Sequence, residues 1–187
     1  SDVWLIGSPV IVRESPFGYV GGGYSPAWSG TTIDRIDYSN DTPTPTQKGS
    51  LVNKSNAGAA VGNLSFGYWG GGKGPAHMSI VQRLDYANDT TDTIVRGPLS
   101  GTRYLLSAVG NNNFGYFGGS YDPPGPYSTI DRIDYSNDTA AATPKGPLSQ
   151  TRSAGAGLGN SDFGYLVGGY PGPSQSSRVD RIEYAND

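Results

Sequence analysis

The triplet Phe-Gly-Tyr occurs at residues 17–19, 66–68, 114–116 and 163–165, at spacings of 49, 48 and 49. A second signature keeps the same register: IDRIDYSND, VQRLDYAND, IDRIDYSND and VDRIEYAND, which place tyrosines at Tyr38, Tyr86, Tyr135 and Tyr184. A third, KGSL, RGPL and KGPL, ends at Leu51, Leu99 and Leu148. A catalytic motif is needed once. A motif that returns in every register is a structural unit, and repeats of this length stack so that each buries its apolar face on its neighbours.

Each unit reads as four strands. Strand a is small and apolar, as in SNAGAAVGN (55–63) and RSAGAGLGN (152–160), and a Gly-Asn turn leads from it into strand b, FGY followed by paired glycines. A variable Pro/Gly/Ser loop precedes strand c, the IDRIDY segment, and a Ser/Ala-Asn-Asp turn leads to a short outer strand d ending at the KGPL element. Composition agrees: 29 glycines, 14 prolines and 13 tyrosines with only 35% hydrophobic residues suit short strands and tight turns better than packed helices. The length of 187 residues fits a single domain, 1–187, with repeats at approximately 8–50, 51–98, 99–147 and 148–187.

The fourth repeat stops after strand c. The stretch DVWLIGSP resembles DTIVRGPL (92–99) when Gly7 is set on Gly97, so residues 2–7 are expected to supply the missing outer strand and close a ring. Small residues at Ala57, Gly58, Ala59, Ala154, Gly155 and Ala156 suit the narrow centre that four units would leave. The rivals are two chains pairing into an eight-unit ring and a fragment of a longer array.

The repeat resembles the kelch family of β-propellers. The segment FGYFGGS…STIDRIDYSNDT…KGPLSQTRSAGAG follows its order of apolar strand, double glycine, strand ending in Tyr-Asp-like residues, then a Pro-Leu element and arginine. The family's usual tryptophan after strand c is missing. This resemblance implies an all-β, four-bladed propeller of four-stranded blades. The wording of the repeat also resembles repeat proteins of marine phage virions, which implies a structural or adhesive role in an extracellular or virion-associated setting. The other readings are an intracellular protein-interaction scaffold and, last, a propeller hydrolase or lyase.

Charge narrows the partners. A net charge of −3 argues against nucleic acid, which asks for a basic face. The absence of cysteine excludes disulfides and thiolate chemistry. No apolar run is long enough to cross a membrane, and the first residues carry no basic leader of the kind a signal peptide needs.

Candidate residues fall into two groups. Arg35, Arg83, Arg132 and Arg181 recur once per repeat beside Asp37, Asp85, Asp134 and Glu183. An arginine cluster can grip an anionic sugar, but repetition in every unit favours Arg–Asp pairing within or between blades. The turns end at Asp41, Asp89, Asp138 and Asp187, where a turn role suffices; calcium would require more oxygens than a turn offers. GYWGGGKG (67–74) has a phosphate-loop outline but ends in Gly74 where Ser or Thr is needed, and the paired glycines are expected at close approaches or bulges. One histidine, His77, is too few for a metal site or a hydrolytic triad, so neither metal, cofactor nor catalysis is expected. The b–c loops differ in every copy and carry Trp28, His77, Tyr121, Tyr127 and Tyr170, a candidate face for a glycan or protein surface, with self-association or a larger assembly also open.

Overall fold

A computed structural model describes residues 15–24 and 30–187. It is all-β, with four antiparallel sheets that follow the repeat. The first holds β1 (Phe17–Gly21), β2 (Gly30–Asp37) and β3 (Thr46–Ser55). The second runs β4 (Ala59–Gly62), β5 (Phe66–Gly70), β6 (Val81–Asp85) and β7 (Ile94–Arg96). The third runs β8 (Ser107–Gly110), β9 (Phe114–Asp122), β10 (Gly125–Asp134) and β11 (Thr143–Lys145). The fourth holds β12 (Ala156–Gly159), β13 (Phe163–Val167) and β14 (Val179–Glu183). Strands a to d thus pair in chain order as a meander in the second and third sheets. The expected closing strand 2–7 lies outside the described residues.

Alternation along FGY decides what each sheet buries. Phe and Tyr point to one face and the central Gly to the other, where the tyrosine of the DY signature lies across it. A Cβ on Gly115 would stand 2.7 Å from the Tyr135 hydroxyl and 2.6 Å from Val61 Cγ2; on Gly67 it would stand 2.8 Å from the Tyr86 hydroxyl. Only a glycine leaves room for that ring.

Among the described residues the apolar core is divided into three, one between each pair of consecutive sheets. Tyr19, Ile33, Leu51, Ala60, Trp69 and Leu84 join the first and second sheets. Tyr68, Leu99, Phe117, Ile133 and Tyr135 belong to the cluster between the second and third, and Val109, Tyr116, Ile130, Leu148, Leu166 and Tyr184 join the third and fourth. At each junction the FGY tyrosine stacks on the DY tyrosine of the next sheet: Tyr19 on Tyr86 at 4.6 Å, Tyr68 on Tyr135 at 4.8 Å, Tyr116 on Tyr184 at 5.3 Å. Such pairs contribute about 0.5–1.5 kcal/mol beyond the area they bury. In the double-glycine motif, the first glycine receives a large side chain from the next sheet: Trp69 on Gly21, Phe117 on Gly70 and Leu166 on Gly118.

The acidic positions do not share duties as the sequence suggests. Asp37, Asp85 and Asp134 are turn caps, each carboxylate accepting the backbone N–H two residues on, from Ser39, Ala87 and Ser136. The turn aspartates instead cross to the preceding sheet. Asp89 accepts from Tyr19 Oη at 3.0 Å and Arg35 Nη1 at 2.8 Å, with Lys48 Nζ at 3.3 Å. Asp138 is held in the same way by Tyr68, Arg83 and Arg96, and Asp187 by Arg132 and Lys145. Asp37 cannot serve because its short side chain is already spent on its own turn. Arg35, Arg83, Arg132 and Arg181 each lie over the Phe of their own sheet, from Arg35 over Phe17 at 4.1 Å to Arg181 over Phe163 at 4.9 Å.

The segments that enter strand a carry a backbone strain that repeats. Ala57, Leu105 and Ala154 adopt left-handed φ values of 52°, 57° and 54° just before strand a. Such a conformation costs a non-glycine residue about 1–2 kcal/mol. It is held by bonds from sheet to sheet: Leu105 N–H donates to Ala57 O at 2.6 Å, and Ala154 N–H to Leu105 O at 2.8 Å.

Candidate binding face

The loops between strands b and c emerge beside the segments that enter strand a. One bridge recurs there in three sheets: Asn56 with Lys73, Tyr104 with Tyr121, and Ser153 with Tyr170. The loop after β5 folds over the entrance to the third sheet, since Gly72 N–H donates to Arg103 O at 2.9 Å and Arg103 N–H to Met78 O at 3.0 Å. This carries His77 across to Asp122 at the end of β9.

His77 Nδ1 and Asp122 Oδ1 form a short hydrogen bond, and Thr102 Oγ1 donates to Asp122 Oδ2 at 3.1 Å. The bond from His77 is the first reason that the Asp122 carboxyl sits below its ordinary value of 3.8, with the Thr102 bond adding to it. The imidazole lies 4.4 Å from the Tyr104 ring, which meets Tyr121 edge-on at 5.7 Å. Lys73 Nζ stands 5.6 Å above the same Tyr104 ring. An aromatic shelf is thus flanked by one ammonium and one carboxylate, and none of its rings is fully buried. Such a shelf can stack on the apolar face of a flat ligand while the charged groups bond to its hydroxyls.

Of the residues singled out by sequence, His77 and Tyr121 meet in this cluster, bridged by Tyr104. Tyr127 on β10 and Tyr170 are separately exposed, and among the described residues neither makes a ring contact with it. Trp28 lies outside the described residues. Arg35, Arg83 and Arg132 sit in the junctions, away from this face. Sequence reading passed over Tyr104, Lys73, Thr102 and Asp122. The signal was present: Tyr104 stands where the other registers have Asn56 and Ser153, inside what reads as an ordinary strand a.

A second concavity, about 460 Å³, is bounded by Val20–Gly23, Trp69 and the segments Ser55–Ala60, Leu105–Ala108 and Ala154–Leu158. All four sheets contribute to it. Among the described residues no three His, Asp or Glu side chains gather as metal ligands. No helix among them is long and apolar enough to cross a membrane. The sequence matches no known family model and no curated protein.

Proposed function

We propose that the four sheets are the blades of a kelch-like propeller that works as a non-enzymatic structural or adhesive module, binding a glycan on the b–c loop face. One observation carries the binding reading. The junctions repeat the same residues from sheet to sheet, whereas the His77–Asp122–Tyr104–Tyr121 cluster occurs once among the described residues, on the loops that vary. Repeated residues serve the scaffold; a feature that breaks the repeat on exposed loops is where recognition resides. Aromatic rings give a sugar large contact area with little loss of side-chain entropy. The likeness of the repeat to phage virion proteins favours an extracellular assembly as the setting.

A glycan array tests this. The native chain should bind a restricted set of glycans, and Tyr104→Ala and Tyr121→Ala should each weaken binding at least about tenfold, the loss of one good stacking contact. An empty array, with a specific protein partner found instead, would replace this reading with that of an interaction scaffold.

A further inference from the structure

We infer that the free face of the fourth sheet receives the first sheet of the same chain, through a fourth copy of the junction that joins the others. This rests on reading the sheets as blades of one ring, and it names the residues that close it.

Each observed junction has two complementary halves. The leading sheet offers an FGY tyrosine, an arginine opposite it on strand c, and a glycine two positions after the tyrosine. The following sheet offers a DY tyrosine, a turn aspartate and a large side chain. The fourth sheet carries an unused leading half, and the first an unused following half. Arg181, paired in register with Tyr165, lies over Phe163 and has no carboxylate partner among the described residues. At the other end, Tyr38 is 52% exposed, whereas its counterparts Tyr135 and Tyr184 are 9% and 6% exposed. Asp41, in register with Asp89, Asp138 and Asp187, is exposed as well. Leu158 is 39% exposed, while Val61 and Val109, in the same register, cover Gly115 and Gly164 of the following sheet. Its glycine in the closing junction is Gly18.

Side-chain volume singles out the partner. At the three observed junctions a glycine faces a bulky residue: Gly21 with Trp69, Gly70 with Phe117, Gly118 with Leu166. At the remaining two positions of this register stand Val167 and Val20. Where a further repeat would need glycine, the fourth sheet has valine; where it would bring a bulky residue, the first sheet has only valine. The two departures compensate each other, as two surfaces that pack together require. The first and fourth sheets of one chain already border the same concavity. The partner is therefore the chain's own first sheet, with Tyr165 stacked on Tyr38, Arg181 and the Tyr165 hydroxyl on Asp41, Leu158 over Gly18 and Val167 against Val20.

The chain has no cysteine, so thiol cross-linking is clean. Asp41→Cys with Arg181→Cys is treated at low protein concentration with a short bis-maleimide. Arg35→Cys with Asp89→Cys, an observed junction, is the positive control, and Lys54→Cys with Arg181→Cys the negative one. The expected product is a cross-linked single chain at a yield close to the positive control and at least about tenfold above the negative one. A product of doubled mass, or a yield no better than the negative control, overturns the inference. Failure of the positive control as well would overturn the ring reading itself. In parallel, Asp41→Arg and Arg181→Asp should each lower the melting midpoint by about 2–4 °C, and the double reversal should recover most of it. None of these positions touches His77, Tyr104 or Tyr121, so glycan binding and ring closure fail separately.

Discussion

Replacing Asp138 with alanine should destabilise the protein by removing the acceptor that ties the second sheet to the third. The carboxylate is only 9% exposed, receives the Tyr68 hydroxyl at 3.0 Å and Arg83 at 2.7 Å, and has Arg96 at 3.3 Å. Its loss leaves two guanidinium groups and a phenol without their acceptor. Removing one partner of a fully buried pair costs about 3–5 kcal/mol. The two arginines remain 18% and 19% exposed, so water recovers part of that cost, and about 2–3 kcal/mol is expected. For a chain of this size that corresponds to a midpoint lower by about 5–10 °C. Asp138→Asn keeps the shape and one acceptor and should lose about half as much. Asp134→Ala is the control, since it removes only exposed bonds within its own turn, from the Ser136 N–H and hydroxyl, worth about 1 kcal/mol. Urea unfolding at fixed ionic strength measures all three. If Asp138→Ala costs no more than Asp134→Ala, the turn aspartates do not hold the sheets together and the reasoning fails.

The junction tyrosines predict an alkaline transition. Burial, then the bond to Asp89, pushes Tyr19 up to about 12, and burial raises Tyr68, Tyr86, Tyr116 and Tyr135 further. An unfolded tyrosine ionises near 10, so above that pH the folded state binds more protons than the unfolded one. Stability should be full below about pH 10 and fall as pH rises from there; tyrosinate absorbance that rises fully near pH 10 without unfolding would contradict this. Ala57→Gly and Ala154→Gly should each raise the melting midpoint by about 2–4 °C, because glycine tolerates their left-handed φ; unchanged or lower midpoints would show no strain there. Gly115→Ala should cost about 1–3 kcal/mol in urea unfolding, since its Cβ would meet Tyr135 and Val61, and a neutral result would mean those side chains give way freely.

The framework was legible because it repeats. FGY, DRIDY and KGPL mark strands b, c and d, and all fall in strands or at their ends. What one register cannot convey is how neighbouring units meet. Arg35 finds its acid at Asp89, 54 residues away in the next sheet, while the nearer Asp37 is taken up by its own turn. A linear reading ranks Asp37 first because it shares a strand with the arginine. The candidate cluster was half legible. His77 and Tyr121 stand in plainly variable loops, but Tyr104 is hidden in TRYLL, which aligns with the strand-a entry TRSAG. Asp122 gains its role only because the His77 loop crosses to the third sheet, a step that depends on backbone hydrogen bonds no motif announces.

The central claim is that this chain recognises its ligand where its repeat breaks. Tyr104→Ser tests it most directly, because it installs the residue that Ser153 already provides in the fourth register. Glycan affinity and melting midpoint are to be measured on the same preparation. The account predicts that affinity falls at least about tenfold while the midpoint moves by no more than about 2–4 °C. Unchanged glycan affinity in a folded Tyr104→Ser protein would contradict it.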